Sequence, residues 1–229
     1  NLWAREVKGL HPPPDFGQWI TEDRFKRVGR YLARGPESDN DDDPWAEVRW
    51  MVDGFNEVRR RELSAGAKLN PDESMFAWKG KSGVGGIPHL SFVKRKPEPL
   101  GLELKTCADG ETGVMMHIEM QEGAMRMARK RHVSEHQATT ACTLRLVEAC
   151  SAGDGKKRTC YIDSWFCSMK TWRALDEKFG VHVIGSTKTA HSGFPAEALR
   201  WTLKDMARGE HVIFEHESQP VWAIGWSDV

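Results

Sequence analysis

At Ala67 the spacing of apolar residues changes, and that change limits what the chain can fold into. Upstream, Phe25, Val28 and Leu32, then Trp45, Val48, Val52 and Phe55, recur at helical spacing. Downstream, Lys68 to Lys79, Leu100 to Cys107 and Thr112 to Met120 have the composition of strands. In the second of these, Leu100, Leu102 and Leu104 alternate with Gly101, Glu103 and Lys105. A helical region therefore precedes a sheet.

Punctuation refines the pattern. Thr21 is placed to cap a helix running to about Arg34, with Glu22 and Asp23 in its first turn and Gly35 at its end. The stretch GPESDNDDDP, residues 35 to 44, reads as a solvated acidic linker. The helix from Trp45 to about Leu63 carries Arg59, Arg60 and Arg61 near its C-terminal end, a dipole-matched solvated face or a DNA contact. Asp109-Gly110 is a hairpin signal, which gives Asp109 a structural reason to be acidic. Ser134 suits the cap of a helix to Cys150. The loop SAGDGKK then leads to a strand from Arg158 to Asp163, a helix from Ser168 to Phe179 closed by Gly180, and a strand VHVIGST. Strands at His211 to His216 and Val221 to Trp226 flank a turn at Gln219-Pro220. Three strands, then helix, strand, helix, strand, predict an α/β sheet with an antiparallel meander on one side and parallel crossovers on the other.

With 33 basic and 33 acidic residues the formal charge is zero, so any basic surface must be local. Cys107, Cys142, Cys150, Cys160 and Cys167 are odd in number, sit in apolar segments and form no C-x-x-C, which points to reduced thiols inside a cell and away from structural zinc. No apolar run approaches the ~20 residues of a membrane span, so no membrane partner is expected. The chain starts at Asn1 and stops at Val229 without a polar tail, as an excerpt of a longer protein would.

The residues that carry chemistry are acids at strand positions. Asp72 and Asp163 lie on different expected strands, and if those strands are neighbours the carboxylates point into one cleft. Clustered carboxylates repel unless a cation lies between them. Mg²⁺ or Mn²⁺ supplies that charge and prefers hard oxygen ligands. Glu73 follows Asp72 and faces the other side of the strand, because side chains alternate. Lys94, Arg95 and Lys96 offer a local cation group near the acids, for phosphate or merely at a solvated strand end. Arg126, Arg129, Lys130 and Arg131 form a denser group, for DNA contact or as an exposed loop. Trp165 and Phe166 serve core packing at the strand-helix corner or base stacking. Gly80-Lys81-Ser82 lacks the first glycine of a P-loop, since Met75 stands there, and His132 with His136 shows no H-E-x-x-H pattern.

The ordered blocks LNPDESMFAWKGK, FVKRKPEPLGLELKTCAD, TGV, TCYIDSWFCSM, GVHVIGSTKTAHSGFPAEALR and VWAIGWSDV resemble the transposase domain of the piggyBac family, from about Thr21 to Val229. The resemblance implies an RNase H-like mixed sheet flanked by helices, with an N-terminal helical region (1–64, including the linker 35–44), a core at 65–187 and a partial C-terminal β insertion at 188–229. It implies DNA strand cleavage and transfer with divalent metal in a DDE/DDD-type enzyme, with Asp72 and Asp163 as the first two metal-binding aspartates. It further implies DNA partners (transposon ends and target), a homodimer of the full-length protein, no small-molecule substrate, and a nuclear location.

Two departures qualify the likeness. The third aspartate of the family lies in a Gly-Gly-Val-Asp type motif that this chain does not contain, and Asp228 belongs to the W-x-D element. The chain alone is expected to bind Mg²⁺ weakly and not to transpose DNA. Pro71 stands where the family has an aliphatic residue and removes a ladder N–H. Replacing it with Ile is expected to raise stability if the strand is central. A decayed or domesticated non-catalytic DNA- or chromatin-binding protein is the alternative.

Overall fold

The computed structural model describes residue 3 and residues 16–31, 43–80, 88–151 and 155–228. Contacts divide the chain into two compact units, Asn1–Met51 and Val52–Val229. In the first, α1 (Glu22–Tyr31) begins where expected, and Thr21 Oγ1 accepts the N–H of Arg24 at 3.3 Å as its cap. Phe25 and Val28, the expected apolar face, are about half exposed. Trp3 lies 5.1 Å from Phe25 and 6.0 Å from Phe16, ring centre to ring centre, and its indole N–H donates to the Ile20 carbonyl at 2.8 Å. The end of that helix near Gly35, most of the acidic linker and Gly80-Lys81-Ser82 beyond Gly80 fall outside the described residues.

Helix α2 spans Ala46–Glu62. Asp43 Oδ1 accepts the Trp45 N–H at 3.1 Å ahead of it, and Arg49 reaches back to the same carboxylate. Its arginines are not all solvated. Arg60 and Arg61 are exposed, but Arg59 is buried and donates to the Ala149 carbonyl at 2.8 Å. The expected solvated face is corrected at that position by the need to satisfy a carbonyl at the end of another helix.

The second unit is a mixed sheet with helices packed on it. Strands β1 (Lys68–Ala77), β2 (Ser91–Phe92), β3 (Leu100–Asp109), β4 (Met115–Met120), β5 (Thr159–Ile162) and β6 (His182–Gly185) stand in the order β2-β3-β1-β5-β6, with β4 also paired to β3. β1, β3 and β4 form the antiparallel meander, while β5 runs parallel to β1 and β6 parallel to β5. This is the mixed α/β sheet that the order of elements called for. The two-residue β2 was not legible in the sequence.

Helix α4 (Ala138–Ser151) packs across β1, β3 and β4 and against α5 (Met169–Phe179), which packs on β6. Leu144, Leu146 and Val147 of α4 and Leu175 of α5 are fully enclosed, at roughly 1.5 to 3 kcal/mol for each such side chain. α5 is capped at both ends, by Gly180 as expected and by Ser168, which precedes the helix rather than opening it. Ser168 Oγ accepts from Thr171 N at 3.1 Å, and Gly180, at φ 60°, donates to the Asp176 carbonyl at 2.8 Å.

The start of α4 differs from expectation. Ser134 is not its cap, because residues 131–136 form a separate turn in which His132 has φ 68° and His136 N donates to the His132 carbonyl at 2.9 Å. α3 (Ala124–Met127) and α6 (Ala196–Leu203) were also unanticipated. The expected C-terminal hairpin is present as β7 (His211–Glu215) and β8 (Trp222–Trp226). Gly225 faces α6 so closely that a Cβ there would meet Leu203 at 2.8 Å. All five cysteines are free and buried. Among the described residues no helix is long and apolar enough to cross a membrane.

Candidate carboxylate site

Alternation along β1 decides which of its acids is available. Leu69, Pro71 and Glu73 are buried on the face that α4 covers, while Lys68, Asn70 and Asp72 are exposed on the other. β5 is split the same way, with Cys160 and Ile162 buried and Tyr161 exposed. Its parallel register with β1 pairs Lys68 with Thr159 and Leu69 with Cys160. Carried three residues past its last pair, that register would set Asp72 opposite Asp163, which follows the end of β5 by one residue, and both are exposed. Asp72 thus lies on β1 and Asp163 just past the end of the neighbouring β5, each an exposed residue that follows the strand alternation of buried and exposed positions.

Each carboxylate is held by one oxygen. Asp72 Oδ1 accepts the Glu73 N–H at 2.7 Å. Asp163 Oδ1 accepts from Trp165 N at 2.9 Å and Phe166 N at 3.4 Å, so the acid organises the turn that follows β5. Among the described residues neither Oδ2 accepts a hydrogen bond, which leaves one hard oxygen on each for a cation. No third His, Cys, Asp or Glu of the described residues gathers with them as a metal cluster. The donor set suits Mg²⁺ or Mn²⁺ in type and supplies two protein ligands. Close by, Gly185 lets β6 press against β5, since a Cβ there would lie 2.5 Å from the Ile162 carbonyl.

Pro71 lies between these features. Lys68 O accepts from Gly110 N and Trp78 N donates to Leu100 O, so even-numbered backbone groups of β1 face β3 and odd-numbered ones face β5. Arg158 O and Ile162 O accept from β6 and its flank, which turns the Tyr161 carbonyl toward β1. The ladder between β1 and β5 ends at Leu69↔Cys160, where the next donor would be the N–H that Pro71 lacks. β1 is central, and the proline faces a hydrogen-bonding neighbour.

Glu73 faces away from the site, as alternation required. It is buried with Lys105, whose Nζ lies 3.3 Å from Glu73 Oε2 and 2.6 Å from Glu103 Oε1. Arg95 also pairs with Glu73, and Lys96 Nζ lies 4.0 Å from its Oε1. Of the basic trio beside the acids, Lys94 is exposed and the other two are turned to this glutamate. The second basic group is likewise met by acids: Arg126 with Glu122 at 3.4 Å, Lys130 with Glu122 at 3.1 Å and Arg131 with Glu148 at 2.6 Å, while Arg129 is exposed.

Asp109 is structural. It accepts from Gly66 N at 2.6 Å, Glu111 N at 3.0 Å, and both the N–H (2.8 Å) and hydroxyl (2.9 Å) of Thr112. Those hydrogen bonds, the Thr112 N–H first, hold its pKa down at about 2. His132 Nε2 contacts Glu148 at 3.2 Å, and His136 lies 3.7 Å from Glu135. Burial pushes His117 down to about 4.

The buried Lys105 was missed. The alternation of β3 reads as leucines inward and charges outward, yet Lys105 is 1% exposed beside a buried Leu104, because residues 104–107 are covered on both faces. The available signal was the pairing of Lys105 with Glu73 across two strands, which needs the register to be seen. Lys105 Nζ also lies 3.6 Å from the centre of the Trp165 ring. Phe166 is buried and Trp165 half-buried against it at 4.6 Å, so the aromatic pair packs at the strand-helix corner.

No protein of curated function matches the sequence. Among solved structures, the fold is similar to a piggyBac transposase in a synaptic complex with hairpin DNA, seen by cryo-electron microscopy. The TM-score is 0.67 at 19% identity over 88% of this chain, which spans 40% of that one. A family model described as Transposase IS4 matches residues 1–228, and the chain belongs to that transposase family.

Proposed function

We propose that the chain forms part of the catalytic region of a piggyBac-like DDE/DDD transposase, in which Asp72 and Asp163 hold a divalent metal against DNA. The observation that supports this is their exposed placement on β1 and just past the end of the neighbouring parallel β5, each with an oxygen that no described residue engages. When bound, Mg²⁺ or Mn²⁺ would activate the attacking oxygen and stabilise the leaving one in phosphoryl transfer. The work of the chain itself is orientation. β1 and the turn after β5 aim the two carboxylates, and Glu73, occupied by Lys105 and Arg95, takes no part as a ligand. In the intact protein, strand nicking by water would free a 3′ hydroxyl that attacks a second phosphate.

The strand order β4-β3-β1-β5-β6, with β1 antiparallel to β3 and parallel to β5, supports an RNase H-like core. Two carboxylates alone support weak metal binding by this chain. DNA as transposon ends and target, dimerisation of the intact protein and a nuclear location follow from the same reading. The truncated β1–β5 ladder at Pro71 favours a second reading, a domesticated or decayed DNA-binding protein. Titrating Mn²⁺ or Mg²⁺ into the full-length protein with DNA separates them. Metal-dependent nicking lost in Asp163→Asn supports the enzyme, and DNA binding indifferent to metal and to that substitution supports the alternative.

A further inference from the structure

We propose that Lys105 is a positioning residue that locks the turn carrying Asp163 onto the strand carrying Asp72. The inference rests on the metal-holding role of those two acids and adds a residue to it. Three contacts meet at one ammonium. Glu73 Oε2, on the residue after Asp72, lies 3.3 Å away, and the register places Glu73 directly opposite Lys105. Glu103, two residues back on the same strand, lies at 2.6 Å. The Trp165 ring lies 3.6 Å away, with the Phe166 ring behind it at 5.6 Å, and the backbone N–H groups of these two aromatics are the donors to Asp163 Oδ1.

The need for such a clamp comes from the backbone. Main-chain pairing between β1 and β5 stops at Leu69↔Cys160, because Pro71 offers no N–H to the Tyr161 carbonyl. Asp72 and Asp163 therefore lie beyond the last rung that joins their strands. Lys105 spans that gap from the covered face. It is anchored on β3, paired with a carboxylate of β1 and seated under the first aromatic of the Asp163 turn. Stability alone gives little reason for the residue, since a buried ion pair replaced by well-packed apolar groups is often no less stable. A buried cation does fix where its partners sit, and here the partners flank both acids.

The test compares Lys105→Met and Lys105→Arg in the chain by amide hydrogen exchange and by Mn²⁺ affinity, read from paramagnetic broadening of amide signals, with Asp163→Asn as control. In Lys105→Met the Trp165 and Phe166 amides should exchange about tenfold faster than any change at Leu144 and Val147 of α4, which report global opening. Mn²⁺ affinity should fall by about tenfold, as when an outer group that orients a metal ligand is removed. Lys105→Arg should restore both in part. If Lys105→Met does not fold, Trp165→Leu removes the clamp from its other end, and the Phe166 amide should show the same selective loss. Protection at 165 and 166 that is unchanged, or that falls only in step with α4, overturns the proposal, as does wild-type Mn²⁺ affinity in a folded Lys105→Met. Should the wild-type chain bind no Mn²⁺, or Asp163→Asn bind it equally, the metal reading fails by itself and the exchange comparison still decides the clamp.

Discussion

The two faces of β1 treat consecutive acids in opposite ways. Asp72, on the other face, is exposed and keeps one oxygen unengaged. Glu73, on the covered face, is buried among Lys105, Arg95 and Lys96. Charge and sequence position are nearly the same for both. Parity along the strand and what covers each face make one acid a candidate ligand and the other a structural anion. Stability measurements should show the difference directly. Glu73→Leu takes from the buried Lys105 one of its two carboxylates, Glu103 remaining at 2.6 Å, and should cost about 1.5 to 3 kcal/mol in urea unfolding. Asp72→Leu, on the exposed face, should change stability by no more than about 0.5 kcal/mol. Equal losses at the two positions would break the comparison.

Asp109 sharpens it, as a buried acid whose partners are N–H and hydroxyl donors rather than cations. Removing its charge in Asp109→Asn should cost about 1 to 3 kcal/mol, because donors from Gly66, Glu111 and Thr112 lose an ionised acceptor. The pH dependence has a fixed sign. The folded pKa is depressed from 3.8 to about 2, so the contribution is fully present above pH ~4 and is lost as pH falls through about 2. Asp109→Asn should flatten that part of the acid limb in a plot of unfolding midpoint against pH. An acid limb of unchanged slope would show that the hydrogen-bonded turn does not hold the carboxylate as charged.

Where local chemistry is decisive, the sequence was a sufficient guide. Gly180 closes α5, Asp109-Gly110 closes a turn, and the order of strands and helices yields the mixed sheet. Asp72 was legible as an acid on a strand, while Asp163, expected on one, falls one residue past β5 in the turn that follows it, and only the family likeness suggested pairing them. What escaped depends on partners distant in sequence. Ser134 has the chemistry of a cap, but the turn through His132 places the helix start four residues later. Arg59 looked solvated until α4 presented the Ala149 carbonyl to it. β3 carries leucines and charges in alternation, and its middle is buried on both faces, Lys105 included, because glutamates on β1 and β3 and a tryptophan after β5 accept its charge. An inward lysine is prohibitive alone and tolerable with those partners, and no single strand reveals them.

The smallest effect concerns Pro71, which is on the covered face with Glu73 but disturbs the backbone rather than the side chains. Valine is a better probe than the larger isoleucine, because the position is buried and added volume is itself destabilising. Pro71→Val restores an N–H facing the Tyr161 carbonyl, a gain of about 0.5 to 1.5 kcal/mol if the bond forms. Against it, the unfolded chain regains freedom that proline denied it, about 0.4 to 1 kcal/mol. The balance is a rise of a few tenths of a kcal/mol, too small for the unfolding midpoint to decide well. Hydrogen exchange at the new residue 71 amide is the sharper measurement. Protection comparable to that of the Leu69 amide would mean that β1 and β5 can zip one rung closer to Asp72 and Asp163, so the wild-type gap is set by the proline alone. Free exchange at 71 would mean that the strands diverge there for another reason, and the separation of the two acids would then belong to the fold rather than to one residue.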